Sequence, residues 1–564
     1  MTLNVENANV VSDLSVVREL VGTRFPGLNL ESDIQGWAFL GKFEVGIEAY
    51  EHTAEPSAAD DRWVGVCFFH ALRDQEALTA LLRARQRGEE GARVFLAHAL
   101  PFIERADEAQ AELNQVDPSR LNTYDLALYY RVLSIREETN GNLQEALKAA
   151  EEAWKRIQGV PEYGVLAPEI LSQLAVLHGR MGRSQRALWF LERGLVGASG
   201  GAELKVRLRR AAVLINLGRY REAQVELDSL DLEEAPSSFQ AERHWLLGEI
   251  AWANGSLSSA IQRFIPAIEY ASRYQFNYEE FLCRIALVCI LAAKGDQSEA
   301  AEHLVRAQTL ISDKSDRLIF RFREVLLNYW AKRYTISHAL QEFEGLMQAF
   351  GEMGLLQEQA AVRLHHAELL RLSGIDGWQR TLDDLEALSV SLQNQALLAR
   401  EWTLVPELRQ IAARTHPRIA GPSVQVLEVF TLGDERMLLD DAPVHIPLRR
   451  GIELMAYFLE FKAVSLQQIL NDVFHSEKPS AAKSYFHQFR HQLREALDGV
   501  EIEYDAESRL YRLKSEIDVL WDVSELRAGR VMGETGIFLP SSDNQWAYQV
   551  DQELDKVRIT ARKL

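Results

Sequence analysis

One short phrase recurs down the first three hundred residues and limits what most of this chain can become: Gly, four variable positions, then Ala. It reads Gly141-Asn-Leu-Gln-Glu-Ala146, Gly182-Arg-Ser-Gln-Arg-Ala187, Gly218-Arg-Tyr-Arg-Glu-Ala223, Gly255-Ser-Leu-Ser-Ser-Ala260 and Gly295-Asp-Gln-Ser-Glu-Ala300. The glycines are spaced by 41, 36, 37 and 40 residues, and each lies between two amphipathic helical stretches. Such a glycine ends a helix because it accepts a left-handed backbone. The alanine that follows is small enough for the next helix to pack closely against the first. One hairpin of this kind cannot bury its own apolar stripe, whereas a stack of them can. The sequence therefore predicts a mainly α-helical chain built as a repeat array.

In the clearest unit Leu247 and Gly248 precede Gly255, and Phe264 and Ala267 follow Ala260 at helical spacing. This placing of small and large residues resembles the tetratricopeptide repeat over roughly residues 120–310. Weaker units are expected around Gly41-Lys-Phe-Glu-Val-Gly46 and Gly374. The resemblance implies an α-solenoid over residues 1–415, with a groove on its first helices that takes a protein or peptide partner. On that face the Gly255 unit would present Trp245, Glu249 and Trp252. Aromatic residues at helical spacing fit equally well into packing against the neighbouring hairpin.

The 564 residues carry 62 Lys and Arg against 82 Asp and Glu, a formal net charge of −20. That balance opposes general affinity for nucleic acid or anionic membrane, so any DNA contact must come from a local patch. Cys67, Cys283 and Cys289 form no CxxC pair and no disulfide framework. The first thirty residues lack the pattern of a signal peptide, and the apolar run from Phe281 to Ala293 is too short to span a bilayer and contains Arg284. A cytoplasmic protein without membrane partners is expected.

Helical periodicity stops at His416-Pro-Arg-Ile-Ala-Gly-Pro-Ser423, whose prolines and glycine read as a linker. Strands are predicted at Val424 to Leu432, Met437 to Leu439 and Val444 to Ile446. A helix with an apolar stripe of Ile452, Met455, Ala456 and Leu459 follows. Ser465-Leu-Gln-Gln468 is a capping box opening a second helix. Ser480 is expected to cap a third, which buries Ala482, Phe486, Phe489 and Leu493. Val500 to Tyr504 and Arg509 to Leu513 then alternate as a hairpin.

This order predicts a winged helix-turn-helix (α+β) domain over residues 424–523. The stretch Ala482-Lys-Ser-Tyr-Phe-His-Gln-Phe-Arg-His-Gln-Leu493, together with Tyr511 and Leu513, resembles the OmpR/PhoB-type output domain and the related domain of the streptomycete antibiotic regulatory protein family. The resemblance implies a DNA-reading third helix. Opposite its apolar stripe the helix carries Lys483, Ser484, His487, Gln488, Arg490, His491 and Arg494, with Arg509 and Arg512 on the wing as phosphate contacts. The domain as a whole is acidic, with 11 Lys and Arg against 18 Asp and Glu. Past it, Ile517-Asp-Val-Leu-Trp-Asp-Val523, Phe538-Leu-Pro540 and Trp546 resemble the opening of the bacterial transcriptional activator domain, which implies a separate helical tail over residues 524–564.

No P-loop, GxGxxG, HExxH or kinase set is present, so no enzyme activity or cofactor is expected. Gly197-Ala-Ser-Gly-Gly201 matches a bare GxSxG but follows a helix, which suits a loop between repeats. His487 and His491 have the spacing of a zinc pair without a third ligand, and no metal is expected. Together these readings describe a bacterial-type transcriptional regulator, acting as a possible homodimer on promoter DNA. The alternative is a protein-interaction scaffold that never touches DNA.

Overall fold

The computed structural model describes residues 15–100, 105–230, 232, 237–420, 426–439, 442–475, 478–506, 508–515, 517–527 and 535–561. Part of the expected linker (421–423), the start of the first strand (424–425) and residues 1–14 of the segment read as lacking a signal peptide fall outside these residues. The chain divides into two compact units. One comprises Met1–Gln240, Ile311–Phe322 and Ile336–Leu397; the other comprises Ala241–Leu310, Arg323–Thr335 and Leu398–Leu564.

The first unit is a tetratricopeptide-like array of antiparallel helix pairs. Ala58–His70 packs on Asp74–Gln86, Thr123–Thr139 on Leu143–Ile157, Ala167–Arg180 on Ser184–Gly194, and Gly200–Asn216 on Tyr220–Asp228. The repeat glycines all take positive φ, from +72° at Gly182 to +94° at Gly295. The alanines five positions on, Ala146, Ala187, Ala223, Ala260 and Ala300, are each 0% exposed. Each thus occupies the close-packing position that the phrase assigns to it.

Helix pairs extend further than the phrase does, back to Asp33–Phe39 and on to Trp378–Leu392. The pair Ala58–His70 and Asp74–Gln86 hides its turn because Leu72 takes the left-handed position, at φ +64°. Five residues on, Ala77 is again fully buried. The Leu72 side chain lies on Gly201, where a Cβ would meet it at 2.2 Å. Gly201 of the GxSxG match therefore has a packing role, at the start of helix Gly200–Asn216.

The second unit begins with further repeat helices, Leu257–Tyr274, Asn277–Lys294 and Gln297–Gln308. In its first hairpin a Cβ on Gly248 would lie 2.5 Å from the Phe264 ring, so only glycine lets the two helices meet at this distance. The short helix Ala399–Trp402 packs into the same unit and is followed by Pro406–Thr415 and Pro417–Ala420.

Beyond residue 426 the chain changes to mixed structure. Strands β1 (Val426–Phe430), β2 (Arg436–Leu439) and β3 (Ala442–Pro443) form an antiparallel sheet, and β7 (Asp518–Trp521) joins β1 in parallel, in the order β3-β2-β1-β7. Between them come helices Gly451–Phe461, Leu466–Asp472 and Pro479–Ala496. A second sheet has the order β4-β6-β5, built from β4 (Ala463–Val464) and the hairpin of β5 (Val500–Asp505) and β6 (Leu510–Ser515). Ser465 and Gln468 cap each other's backbone as the sequence predicts. Ser480 does not cap the third helix: Lys478 is its N-cap and Pro479 its first residue, a position where the missing N–H costs nothing. The strand expected at 444–446 is replaced by the two-residue β3.

One apolar core serves all of this region. Leu427, Val429, Phe458, Phe486, Phe489 and Leu493 share it with Trp521, Phe538, Trp546, Val550 and Leu554. Trp546 meets the Tyr457 ring edge-on at 5.1 Å, and Asn544 donates to the Glu453 carboxylate and to the Val473 carbonyl. Asp522 accepts hydrogen bonds from Thr431 N, Thr431 Oγ1 and Leu432 N at 2.6, 2.7 and 2.7 Å. Residues 535–561 complete this core, where Phe538, Trp546, Val550 and Leu554 are buried with the side chains of the preceding helices.

Candidate nucleic-acid interface

The helix Pro479–Ala496 is held by its inner stripe. Ala482, Phe486, Phe489 and Leu493 are all buried. The Phe486 ring stacks on Phe458 at 6.1 Å and meets Tyr511 of β6 edge-on at 5.0 Å. Tyr485 Oη accepts a hydrogen bond from the Arg450 backbone N–H at 2.8 Å, which ties the helix to the start of Gly451–Phe461. These contacts aim the opposite face outward.

Along that face the predicted residues divide into two groups. In the first turns Lys483, Ser484, His487 and Gln488 are exposed, and among the described residues no carboxylate pairs with Lys483. Ser484 Oγ bonds back to the Ser480 carbonyl at 3.1 Å. The His487 imidazole is held below its ordinary pKa, first by desolvation and then by the neighbouring Arg490 and Lys483 charges. At neutral pH it offers a neutral ring that donates at one nitrogen and accepts at the other.

Further along, the cations already have partners. Arg494 lies 3.3 Å from Glu501 of β5, and His491 lies 3.1 Å from Glu495 one turn on. On the hairpin Arg512 lies 3.9 Å from Asp505, and Lys514 lies 3.8 Å from Glu503. Arg509 is exposed at the hairpin turn with φ +59°, the conformation usually left to glycine.

Arg490 departs from the expectation of a DNA-facing donor. Its Nε and Nη2 both donate to the Ile502 carbonyl, at 2.9 and 2.7 Å, and its guanidinium lies 5.1 Å from the centre of the Tyr511 ring. Helical spacing placed it among the outward residues, but it lies at the edge of the buried stripe and turns towards the hairpin. Nothing local in the sequence marks a carbonyl twelve residues away as its partner.

The expected partner face at Trp245, Glu249 and Trp252 is filled by the chain itself. Glu249 is ion-paired with Arg400, Trp252 Nε1 donates to Thr403 Oγ1 at 3.0 Å, and Trp245 is half-buried. Arg323 holds the adjacent Glu401 through two hydrogen bonds, and Trp402 Nε1 donates to the Ile419 carbonyl at 2.7 Å. The segment around helix Ala399–Trp402 therefore occupies the place assigned to an external peptide.

Strand β1 has a second polar attachment on the face turned from the core. Glu428, almost fully buried, accepts from the Ser259 backbone N–H at 3.2 Å and from its hydroxyl, while Arg263 pairs with Glu525. Helix Leu257–Tyr274 thus lies against the β1–β7 sheet, not against the Pro479–Ala496 helix.

No family model and no curated protein matches this chain. Among solved structures it is similar to a Rap protein complexed with Competence and Sporulation Factor: TM-score 0.51, 14% identity, over 60% of this chain and 98% of that one. The apo form of the quorum sensor NprR from B. thuringiensis gives a TM-score of 0.42 at 13% identity, over 59% of this chain and 98% of that one. The human IFIT1 dimer with PPP-AAAA gives 0.33 at 14% identity, over 70% and 100%. At these identities the likeness to the Rap structure is one of fold: a tetratricopeptide-like helical array. Among the described residues no helix is long and apolar enough to cross a membrane, and no cluster of three or more His, Cys, Asp or Glu is gathered for a metal ion.

Proposed function

We propose that this chain is a transcriptional regulator without enzymatic activity, reading duplex DNA through a winged helix-turn-helix within residues 426–521. The observation that carries the reading is the order and exposure of three elements. Helix Leu466–Asp472 leads into Pro479–Ala496, the β5–β6 hairpin closes behind it, and the outward face of the second helix presents Lys483, Ser484, His487 and Gln488. A helix entering the major groove reads base edges from its N-terminal turns, which is where these residues lie. Amide and imidazole groups supply donors and acceptors for bases, and lysine supplies charge for phosphate or guanine.

The repeat array serves protein or peptide partners, or self-association. A Rap protein of similar fold was solved complexed with Competence and Sporulation Factor, which supports a partner-binding role for the array. Two copies would place two reading helices on repeated half-sites and raise affinity through effective concentration.

Pull-down of genomic fragments with the intact chain tests the reading. Sequence-selective enrichment that Lys483→Glu abolishes is the expected result. Enrichment indifferent to that charge reversal refutes it. The second reading, a scaffold that binds only proteins, is favoured by the pairing of Arg494, Arg512 and Lys514 with acids on β5. It predicts no enrichment at all.

A further inference from the structure

We infer that Arg490 is a positioning residue for DNA reading: it clamps the β5–β6 hairpin to the helix, and base recognition is left to the helix's second and third turns, Lys483 to Gln488. The inference rests on the DNA-binding reading above.

The argument begins with what one guanidinium can do. Arginine offers a planar fork of donors, and here Nε and Nη2 converge on a single acceptor, the Ile502 carbonyl. The flat face of the same group lies over Tyr511, whose ring meets both Phe486 of the helix and Tyr504 across the hairpin. A charged donor on a backbone carbonyl is a strong hydrogen bond, and the aromatic contact fixes the plane of the fork. The clamp therefore specifies both the distance and the rotation between helix and hairpin. A lysine could keep the charge but could not make both contacts.

The surroundings are arranged to match. Two of the hairpin cations lie beside β5 carboxylates, Arg512 by Asp505 and Lys514 by Glu503, and Arg509 is exposed at the turn. Arg494, one turn beyond Arg490, is likewise balanced by Glu501. A hairpin with Arg512 and Lys514 matched in this way leaves Arg509 alone for phosphate, so its main contribution is to orient the helix. Lys483 and its neighbours then meet the groove at a fixed angle.

Salt dependence separates positioning from contact. Removing a phosphate contact lowers the slope of log K against log salt by about 0.9, whereas removing a positioning contact lowers affinity and leaves the slope as it was. The test uses the full chain and a duplex selected by the wild type from a random pool. Arg490→Lys, which keeps the charge, is compared with Lys483→Ala. The expected result is that Arg490→Lys binds at least about tenfold more weakly per folded molecule, with the wild-type slope and with weakened discrimination at the bases the wild type prefers. Lys483→Ala is expected to lower the slope by about 0.9.

An Arg490→Lys protein with wild-type affinity overturns the inference, whether or not its melting temperature falls, because the residue would then be only structural or only a charge. A lowered slope in an Arg490→Gln protein also overturns it, by making the residue a phosphate contact. A wild-type chain that selects no duplex refutes the DNA-binding reading itself, an outcome visible before any variant is made.

Discussion

Arg323 and Glu401 meet through two hydrogen bonds of 2.9 and 2.6 Å, both side chains nearly out of solvent. Breaking one partner of a buried ion pair leaves the other charge unpaired, at a cost of roughly 3–5 kcal/mol. Glu401→Gln should therefore lower the urea midpoint of the unit that contains it. Replacing both residues with apolar ones of similar volume should cost much less. A single variant with an unchanged midpoint would show that the pair contributes nothing.

The contact between Gly248 and Phe264 gives a sharper test of repeat packing. Gly248→Val forces a side chain into a gap where even a Cβ lies 2.5 Å from the ring. Overpacking of this kind costs roughly 1–3 kcal/mol. By contrast, a Cβ at Gly255 meets nothing within 4 Å, so Gly255→Ala should suffer only the strain of φ +87°, about 1 kcal/mol. Thermal melts of the two variants should rank them in that order.

His70 predicts an acid response. Desolvation pushes its pKa down to about 4, against the favourable Glu169 charge and with help from Lys205 and Arg131. Between about pH 6.5 and pH 4 the unfolded chain then binds the proton and the folded chain does not, so stability is lost as pH falls through that window. The loss is about 1.4 kcal/mol per pH unit for a single such group. His70→Gln should flatten this part of the stability profile, so denaturation curves at several pH values should show a wild-type-to-variant difference that is constant above about pH 6.5 and changes between about pH 6.5 and pH 4. A difference that is constant with pH would show that the imidazole does not titrate as described.

Trp546 belongs to the core of the C-terminal region, with edge contacts to Tyr457 and Phe538. Trp546→Ala should destabilise that region by roughly 3–5 kcal/mol, as large buried aromatics do. Near-ultraviolet circular dichroism and proteolysis of the full chain would report it. If the tail were a separate domain, the strands and helices before it would be unaffected.

Much of the repeat array could be read from sequence because glycine is the usual residue where a turn needs positive φ. The same logic hid the hairpin at Leu72, where leucine takes that conformation while packing on Gly201. Capping at Ser465 was legible because it involves neighbours, whereas the pairing of Val426 with Asp518 joins residues far apart in the chain. The site was legible to the same depth. The exposure of Lys483, Ser484, His487 and Gln488 follows from helical period alone. The turning of Arg490 to Ile502, and the filling of the Trp252 face by Thr403, depend on contacts that periodicity cannot encode.

The parallel pairing of β1 with β7, and the burial of Leu554 in the same core as Leu427, also affect how the chain is made. Synthesis runs from the N-terminus, and helix pairs built from local contacts can form as they emerge from the ribosome. The strand at Val426 has no such option: its partner Asp518, and residues that close its core such as Trp546, lie far downstream in the chain. The mixed region after residue 426 must therefore wait until residues as far along as Leu554 have been made, whereas the helix pairs before it need not. Truncation before Trp546 would open this core while leaving most of the helices intact.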